Sequence, residues 1–254
     1  MRFTVTSDTD IGILKTTNQD SVLIKHGVID DEEVLLAVIC DGMGGLSKGE
    51  LASATVIREF AQWFDRELPY ELDHMDMQVI GGKWTLMLRE LNARILDYSK
   101  LNMTEGMGTT FSGILFVKDQ YIIAHVGDSR IYQIGALMTQ MTSDQTFVAR
   151  EVRRGTMTPE QAKKDKRRNL LLQCVGASRV VEPQIICGRT EKGAYMLCSD
   201  GFRHEITESE MYESLNPINL INQDAMHNNV QYLIDQVKRR GERDNISVIL
   251  IKAE

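Results

Sequence analysis

Val34-Leu35-Leu36-Ala37-Val38-Ile39-Cys40, followed by Asp41-Gly42-Met43-Gly44-Gly45, is the stretch around which the chain is organised. An unbroken apolar run of this length reads as a strand buried on both faces. It stops on an acid, and three glycines follow within four residues. A carboxylate at the end of a buried strand is costly unless something compensates it. Glycine lets the backbone turn sharply and approach a ligand closely. A hard divalent cation held by oxygen accounts for both features. A turn ahead of a helix, capped by Asp41 and Ser47, accounts for them as well, so the stretch alone leaves two readings open.

Outward from this strand, Phe3 and Val5 alternate and Ser21–Ile24 follows a polar turn, which predicts two strands over residues 1–25. Asp30-Asp31-Glu32-Glu33 reads as an acidic turn. Ala52, Val56, Phe60 and Phe64 recur at helical spacing, so a helix is expected over 49–68, ending at Pro69. A polar linker then leads to Gly81-Gly82. Trp84, Leu88, Leu91, Ile95 and Tyr98 repeat at steps of three and four, a stripe that reads as core packing. From Gly106 the rhythm changes to strands at 109–117, 121–126 and 130–134, with turns short enough for antiparallel neighbours. Residues 143–170 read as polar helix and hold a basic island: Arg150, Arg153, Arg154, Lys163, Lys164, Lys166, Arg167 and Arg168. That island suits either a solvated helix face or a surface for an acidic or phosphorylated partner. Strands are expected again at 180–186, 195–198 and 246–251, and helices at 207–215 and 223–240. Hairpin-like strand groups with paired helices outside them predict an α+β fold of packed antiparallel sheets, not a doubly wound parallel sheet.

Composition narrows the function classes. The 254 residues carry a net charge of −7, with 43% hydrophobic and 26% charged residues. A chain so acidic is a poor general binder of nucleic acid or anionic membrane. No transmembrane segment is visible, and Met1–Thr6 lacks the apolar core of a signal peptide. Cys40, Cys174, Cys187 and Cys198 show no metal-ligand spacing and read as buried thiols of a reducing compartment, so a cytoplasmic location is expected. The five histidines are scattered. No domain linker stands out, and one domain over residues 1–254 is expected.

Acids recur in one context. Asp41, Asp128 and Asp200 follow strand-like runs and carry a neighbouring glycine; Asp244 precedes one, and so does Asp20. Carboxylates gathered at one sheet edge raise each other's pKa unless cations sit among them. An oxygen-only cluster suits Mg²⁺ or Mn²⁺, and a pair of such ions suits phosphoester hydrolysis. Asp-Gly is also a common turn pair, so spacing alone does not decide.

The motifs taken together resemble those of the type 2C, metal-dependent serine/threonine protein phosphatases, in particular their compact bacterial members. The matching residues are Asn18-Gln19-Asp20, Asp41 to Gly45, Gly49-Glu50 with Ala52-Ser53, Gly106 to Thr110, His125 to Tyr132, Ser199-Asp200-Gly201 and Asp244-Asn245-Ile246-Ser247, all in the family's order. The resemblance implies an α-β-β-α sandwich of two central antiparallel sheets flanked by helical layers. It implies that Asp41 bridges two Mn²⁺ or Mg²⁺ ions, that the Gly42 carbonyl binds one, and that Asp200 and Asp244 complete the second. Asp20 would hold or ligate metal-bound water, Asn245 would orient Asp244, and Asp128 with Asp200 matches a third, weaker site. A hydroxide bridging the ions would attack phosphoserine or phosphothreonine without a phosphoenzyme. Residues 143–170 fall where the family has a flap beside the site. The expected partners are phosphorylated proteins, among them a serine/threonine kinase and its substrates, met by a monomer.

Two departures stand out. Lys15 occupies the place of an arginine that grips substrate phosphate; it keeps the charge but loses the planar two-pronged fit. Met43 stands where many eukaryotic relatives carry a histidine, a feature shared with bacterial relatives. Two rivals remain: a pseudophosphatase that binds phosphorylated partners, and a phosphohydrolase of small phosphoesters.

Overall fold

The computed structural model describes residues 1–29, 31–44, 48–72, 75–104 and 106–254. Two five-stranded antiparallel sheets lie face to face. One runs β1 (Phe3–Asp10), β12 (Ile246–Ala253), β11 (Gly193–Cys198), β8 (Arg130–Ile134), β9 (Met138–Gln140). The other runs β10 (Gln184–Arg189), β7 (Gln120–Val126), β6 (Phe111–Val117), β3 (Glu32–Cys40), β2 (Ser21–Ile29). A short ladder joins β4 (Gly42–Met43) to β5 (Gly108–Thr109).

The apolar run now has a physical explanation. Side chains alternate across a strand, so β3 sends Val34, Leu36, Val38 and Cys40 to one side and Leu35, Ala37 and Ile39 to the other. The first set meets the helices α1 (Gly49–Arg66) and α3 (Met77–Leu101). The second meets Ile131, Tyr195, Leu197, Ile249 and Ile251 of the opposite sheet. Both faces are dry, and alternation with polar residues is therefore lost. The expected stripe on α3 is core: Trp84 packs edge-on against Phe60 at 5.3 Å and Trp63 at 5.5 Å. Against the outer face of the other sheet lie α8 (Gln223–Arg239) and the shorter α6 (Asp200–Arg203) and α7 (Glu208–Leu215). The architecture is the expected α-β-β-α sandwich.

Local details differ from the sequence-based expectations. The first two strands do not pair with each other: β1 pairs with β12 and β2 with β3, in separate sheets. β7 and β8 likewise lie in different sheets despite a three-residue connection. Gly127 at that corner has φ +109°, and a Cβ there would lie 2.6 Å from Thr110 Cγ2. Only glycine takes so sharp a step between layers. Pro69 opens a short helix α2 (Leu68–Glu71) as well as following α1. Gly81 and Gly82 lie inside α3, whose N-cap is Asp76, so the helix begins before the glycines. The 180–186 strand begins later, at Gln184. Cys187 is exposed; Cys40, Cys174 and Cys198 are buried. Asp30, Gly45 and Ser47 lie outside the described residues. No helix among the described residues is long and apolar enough to cross a membrane.

His125 of β7 sits fully buried just before the corner. Its Nε2 faces the Ser143 carbonyl at 3.2 Å and its Nδ1 the Ser112 hydroxyl at 2.8 Å. A carbonyl only accepts, so the neutral ring carries its proton on Nε2. Burial drives its pKa down to about 4. The unfolded chain takes up a proton near pH 6.5 that the folded chain refuses, so this stabilisation is complete above pH 6.5 and is lost as pH falls through 4. The full effect is roughly 3 kcal/mol. Denaturant titrations of wild type and His125→Gln between pH 7 and 4.5 should differ in slope by up to one proton, with the wild type the more acid-sensitive.

Candidate active site

Antiparallel register brings the acids to one end of the sandwich. Ser21 pairs with Cys40, which sets Asp20 beside Asp41. Cys198 pairs with Val248, so Asp200, just beyond β11, and Asp244, just before β12, emerge at the same end. The Gly127 corner delivers Asp128 there too. The cleft so formed has a volume of about 570 Å³, and Lys15, Asp41, Gly42, Asp128, Asp200 and Asp244 are among its lining residues.

Hydrogen bonds lock the floor. The Asp41 amide donates to Thr110 Oγ1 at 2.9 Å, and the Asp41 carbonyl accepts from the Thr110 amide at 2.8 Å and from Thr109 Oγ1 at 2.9 Å. Gly42 packs so tightly that a Cβ would lie 2.4 Å from the Gln19 carbonyl oxygen. Asn245 ties three segments together: its Oδ1 accepts from the Gln19 amide at 2.9 Å, and its Nδ2 donates to the carbonyls of Ile11 at 2.9 Å and Thr17 at 3.2 Å. Its own amide donates to Asp244 Oδ1 at 2.9 Å. Asn245 therefore positions Asp244 together with the loop bearing Lys15.

The electrostatics are strained. Burial pushes the Asp41 carboxyl well above the usual range, and the charges of Asp20, Asp200, Asp128 and Asp244 push it further. Asp20 lies beneath the cleft wall and is raised to about 7, by burial first; the nearby Ser247 and Ser199 hydroxyls pull it back, and Asp200 and Asp244 add to the rise. Those hydroxyls stand outside hydrogen-bond geometry: both Asp20 carboxylate oxygens and Asp200 Oδ1 are buried without a partner. Asp128 is also raised to about 7, by burial and Asp200, against the pull of Arg203 and His204. Orphaned buried oxygens are costly, and a cation among them would satisfy them. The donor set is all oxygen, as Mg²⁺ or Mn²⁺ requires.

Side-chain cations of the protein already touch this cluster. Lys15 Nζ lies 2.8 Å from Asp244 Oδ1. Burial disfavours the Lys15 ammonium, but Asp244, Asp41 and Asp200 outweigh it and raise its pKa. His204 Nε2 is 3.5 Å from Asp200 Oδ2, and Arg203 Nη2 is 3.7 Å from Asp128 Oδ2. So arranged, no three His, Cys, Asp or Glu among the described residues stand at the spacing of a finished ion site. Lys15 is placed at the site, as expected, but on a carboxylate. Arg203 and His204 were not foreseen. Their only signal was two cationic residues directly after Ser199-Asp200-Gly201-Phe202, a pattern that also suits an exposed helix end.

Residues 143–170 fold as α4 (Phe147–Arg153) and α5 (Pro159–Lys164) with irregular connections, and Asn169 and, just beyond, Leu171 reach the cleft. Part of the basic island is spent internally. Arg150 and Arg167 stack over Phe147, with ring-centroid distances of 5.0 and 4.2 Å, and pair with Glu151 and Asp165.

Known proteins are similar to this chain in sequence and in fold. The family model described as protein phosphatase 2C matches residues 14–238. A putative protein phosphatase 2C-type of Streptococcus pyogenes serotype M6 is 29% identical over 249 residues, covering 97% of this chain and 96% of its own length. The serine/threonine protein phosphatase PstP of Mycobacterium tuberculosis is 31% identical over 95% of this chain, which spans 43% of that longer protein. The S. agalactiae serine/threonine phosphatase structure superposes over all of both chains with a TM-score of 0.87 at 27% identity. The PstP catalytic domain in complex with 2 manganese ions superposes with a TM-score of 0.80 at 30% identity, over 98% of this chain and 97% of its own. Fold, motif order and a family match over most of the length agree: the chain belongs to the protein phosphatase 2C family.

Proposed function

We propose that this protein hydrolyses phosphoserine and phosphothreonine in other proteins, with two divalent ions, Mn²⁺ or Mg²⁺, held by Asp41, the Gly42 carbonyl, Asp200 and Asp244. The observation that carries the reading is the gathering of Asp20, Asp41, Asp128, Asp200 and Asp244 at one cleft, with buried oxygens of Asp20 and Asp200 lacking any donor. When bound, the ions supply charge neutralisation and activation of water for attack at phosphorus.

The chain's own residues do the rest. Asn245 holds Asp244 and the 11–19 loop in one frame. Asp20, buried beside Asp41 with both carboxylate oxygens unpartnered, would hold a proton of the attacking water once the ions are bound. Lys15 lines the cleft, where its ammonium would leave Asp244 for an incoming phosphate; its side chain is 40% exposed. No Cys, Ser or His lines the cleft among the described residues, which favours direct attack by water over a covalent intermediate. Residues 143–170 would act as a flap that meets the substrate, with Asn169 lining the cleft. A bacterial-type serine/threonine kinase and its substrates are the partners this reading names, the enzyme acting as a monomer in the cytoplasm.

Phosphate release from a phosphothreonine peptide, with added Mn²⁺ against chelator and wild type against Asp200→Asn, tests the proposal. Metal-dependent release that collapses in the variant supports it; no release by folded protein with any divalent metal refutes it. Parallel assays with a small phosphate ester distinguish a protein substrate from a small one. The Lys15–Asp244 ion pair favours one second reading, a pseudophosphatase that binds phosphorylated partners without cleaving them. The metal-dependent release assay separates the two; within an enzyme, Lys15→Arg should restore the two-pronged grip and raise kcat/KM about fivefold, while an unchanged or lower value means Lys15 has no phosphate-holding role.

A further inference from the structure

The third-ion position implied for Asp128 and Asp200 is already faced by basic side chains of the protein. Arg203 Nη2 donates to the Asp128 backbone carbonyl at 3.0 Å and lies 3.7 Å from Asp128 Oδ2. The same nitrogen is 3.8 Å from Asp144 Oδ2. Asp144 is gripped in turn by both prongs of Arg130, at 2.8 and 2.7 Å. Asp128, Arg203, Asp144 and Arg130 therefore alternate in sign, and their side chains are only 10, 13, 15 and 21% exposed. In their charged forms these two carboxylates and two guanidiniums balance, with Asp200 beside Asp128 and Glu208 Oε1 3.8 Å from Arg130 Nη1 as the flanking acids. A guanidinium does not lose its proton in a protein, so this cation is permanent. On the other aspartate, His204 Nε2 covers Asp200 Oδ2 at 3.5 Å. A divalent ion seated on Asp128 would lie against Arg203, with like charges in a poorly solvated corner.

We propose that Arg203 stands in for a third metal ion, so that the cleft takes two divalent ions and excludes a third. The inference rests on the two-ion reading of the cleft. Arg203 approaches the Asp128 carboxylate through one nitrogen, and its Nε has no partner. The contact is thus one of charge, and the carbonyl bond fixes its position. Through that carbonyl Arg203 helps hold the corner that turns β7 into β8, beside Gln145, which bonds the Gly127 amide and carbonyl.

Counting Mn²⁺ per folded chain, by equilibrium dialysis in millimolar Mn²⁺, tests this without an activity assay. Wild type, Asp128→Asn and Arg203→Lys should each bind two ions, and Arg203→Gln, checked for folding by circular dichroism, should bind three. Three ions on wild type with one lost in Asp128→Asn would overturn the inference, and this pair decides the matter even if Arg203→Gln does not fold. A folded Arg203→Gln that still binds two, or Arg203→Lys that binds three, would also overturn it, because charge would not be the excluding factor. Fewer than two ions on wild type would sink the two-ion reading and this inference with it.

Discussion

Asp41→Asn should abolish metal-dependent phosphatase activity and at the same time raise the melting temperature of the metal-free protein. The two effects share one cause. Asp41 ends a strand buried on both faces, and its carboxyl is pushed well above the normal range by burial and by the charges of four neighbouring aspartates. In the absence of metal that repulsion is met only in part, by Lys15 at the edge of the cluster. Asparagine keeps the shape and removes the charge, which relieves about 1–3 kcal/mol. For a chain of this size each kcal/mol moves Tm by about 2–4 °C. With metal the sign reverses, because the carboxylate that would bridge both ions is gone. The loss of several kcal/mol of charge stabilisation lowers the rate about a thousandfold. Calorimetry in chelator and in Mn²⁺, beside a phosphopeptide assay, reads both effects. A lower Tm for metal-free Asp41→Asn would mean that contacts such as Lys15 already compensate the carboxylate, and the strain argument would fail.

Gly201→Ala should be among the most damaging single-methyl changes in the molecule. A Cβ at Gly201 would lie 2.2 Å from the Asn245 carbonyl oxygen and 3.2 Å from its carbon. Both atoms are backbone, so no rotamer relieves the clash, and α6 must retreat from the Asp244–Asn245 corner. That corner holds the loop of Lys15 through Asn245, and α6 begins at Asp200. The displacement therefore spreads across the whole cleft. We expect a loss of about 3 kcal/mol or more, a Tm lower by about 10 °C, and weakened Mn²⁺ binding. Gly82→Ala is the control: inside α3, with no atom within 4 Å of the added methyl, it should stabilise by about 0.5–1 kcal/mol. If Gly201→Ala melted like wild type and bound Mn²⁺ equally well, the close approach of α6 to the β12 corner would have no functional weight.

Several features of this protein could be read from local chemistry. The run Val34–Cys40 is apolar throughout because β3 is covered on one side by α1 and α3 and on the other by the second sheet. The Trp84 stripe reports the helix face that packs on the first of those surfaces. Aspartates at strand ends suggested a charged cleft, because a buried carboxylate is costly unless compensated, although Asp-Gly as a turn pair left a second reading open until the motifs were taken together. These signals are local: burial, period and turn chemistry act within a few residues of one another.

What the local pattern left open is which segments meet. β1 and β2 look like a hairpin, and so do β7 and β8, yet each pair is divided between the two sheets. The choice depends on pairing with strands far along the chain, as in Phe3 with Ala253 and Arg130 with Cys198. Cys187 has the sequence surroundings of a buried thiol, but it lies on β10, an edge strand, and is exposed. The cations of the cleft are the same kind of case. Nothing near Lys15 in the chain foretells Asp244, and nothing near Arg203 foretells Asp128 and Asp144. Sequence by itself determined the layers, the acids and the family; the tertiary structure alone decided which charge faces which, because Coulomb interactions follow distance in space and not separation along the chain.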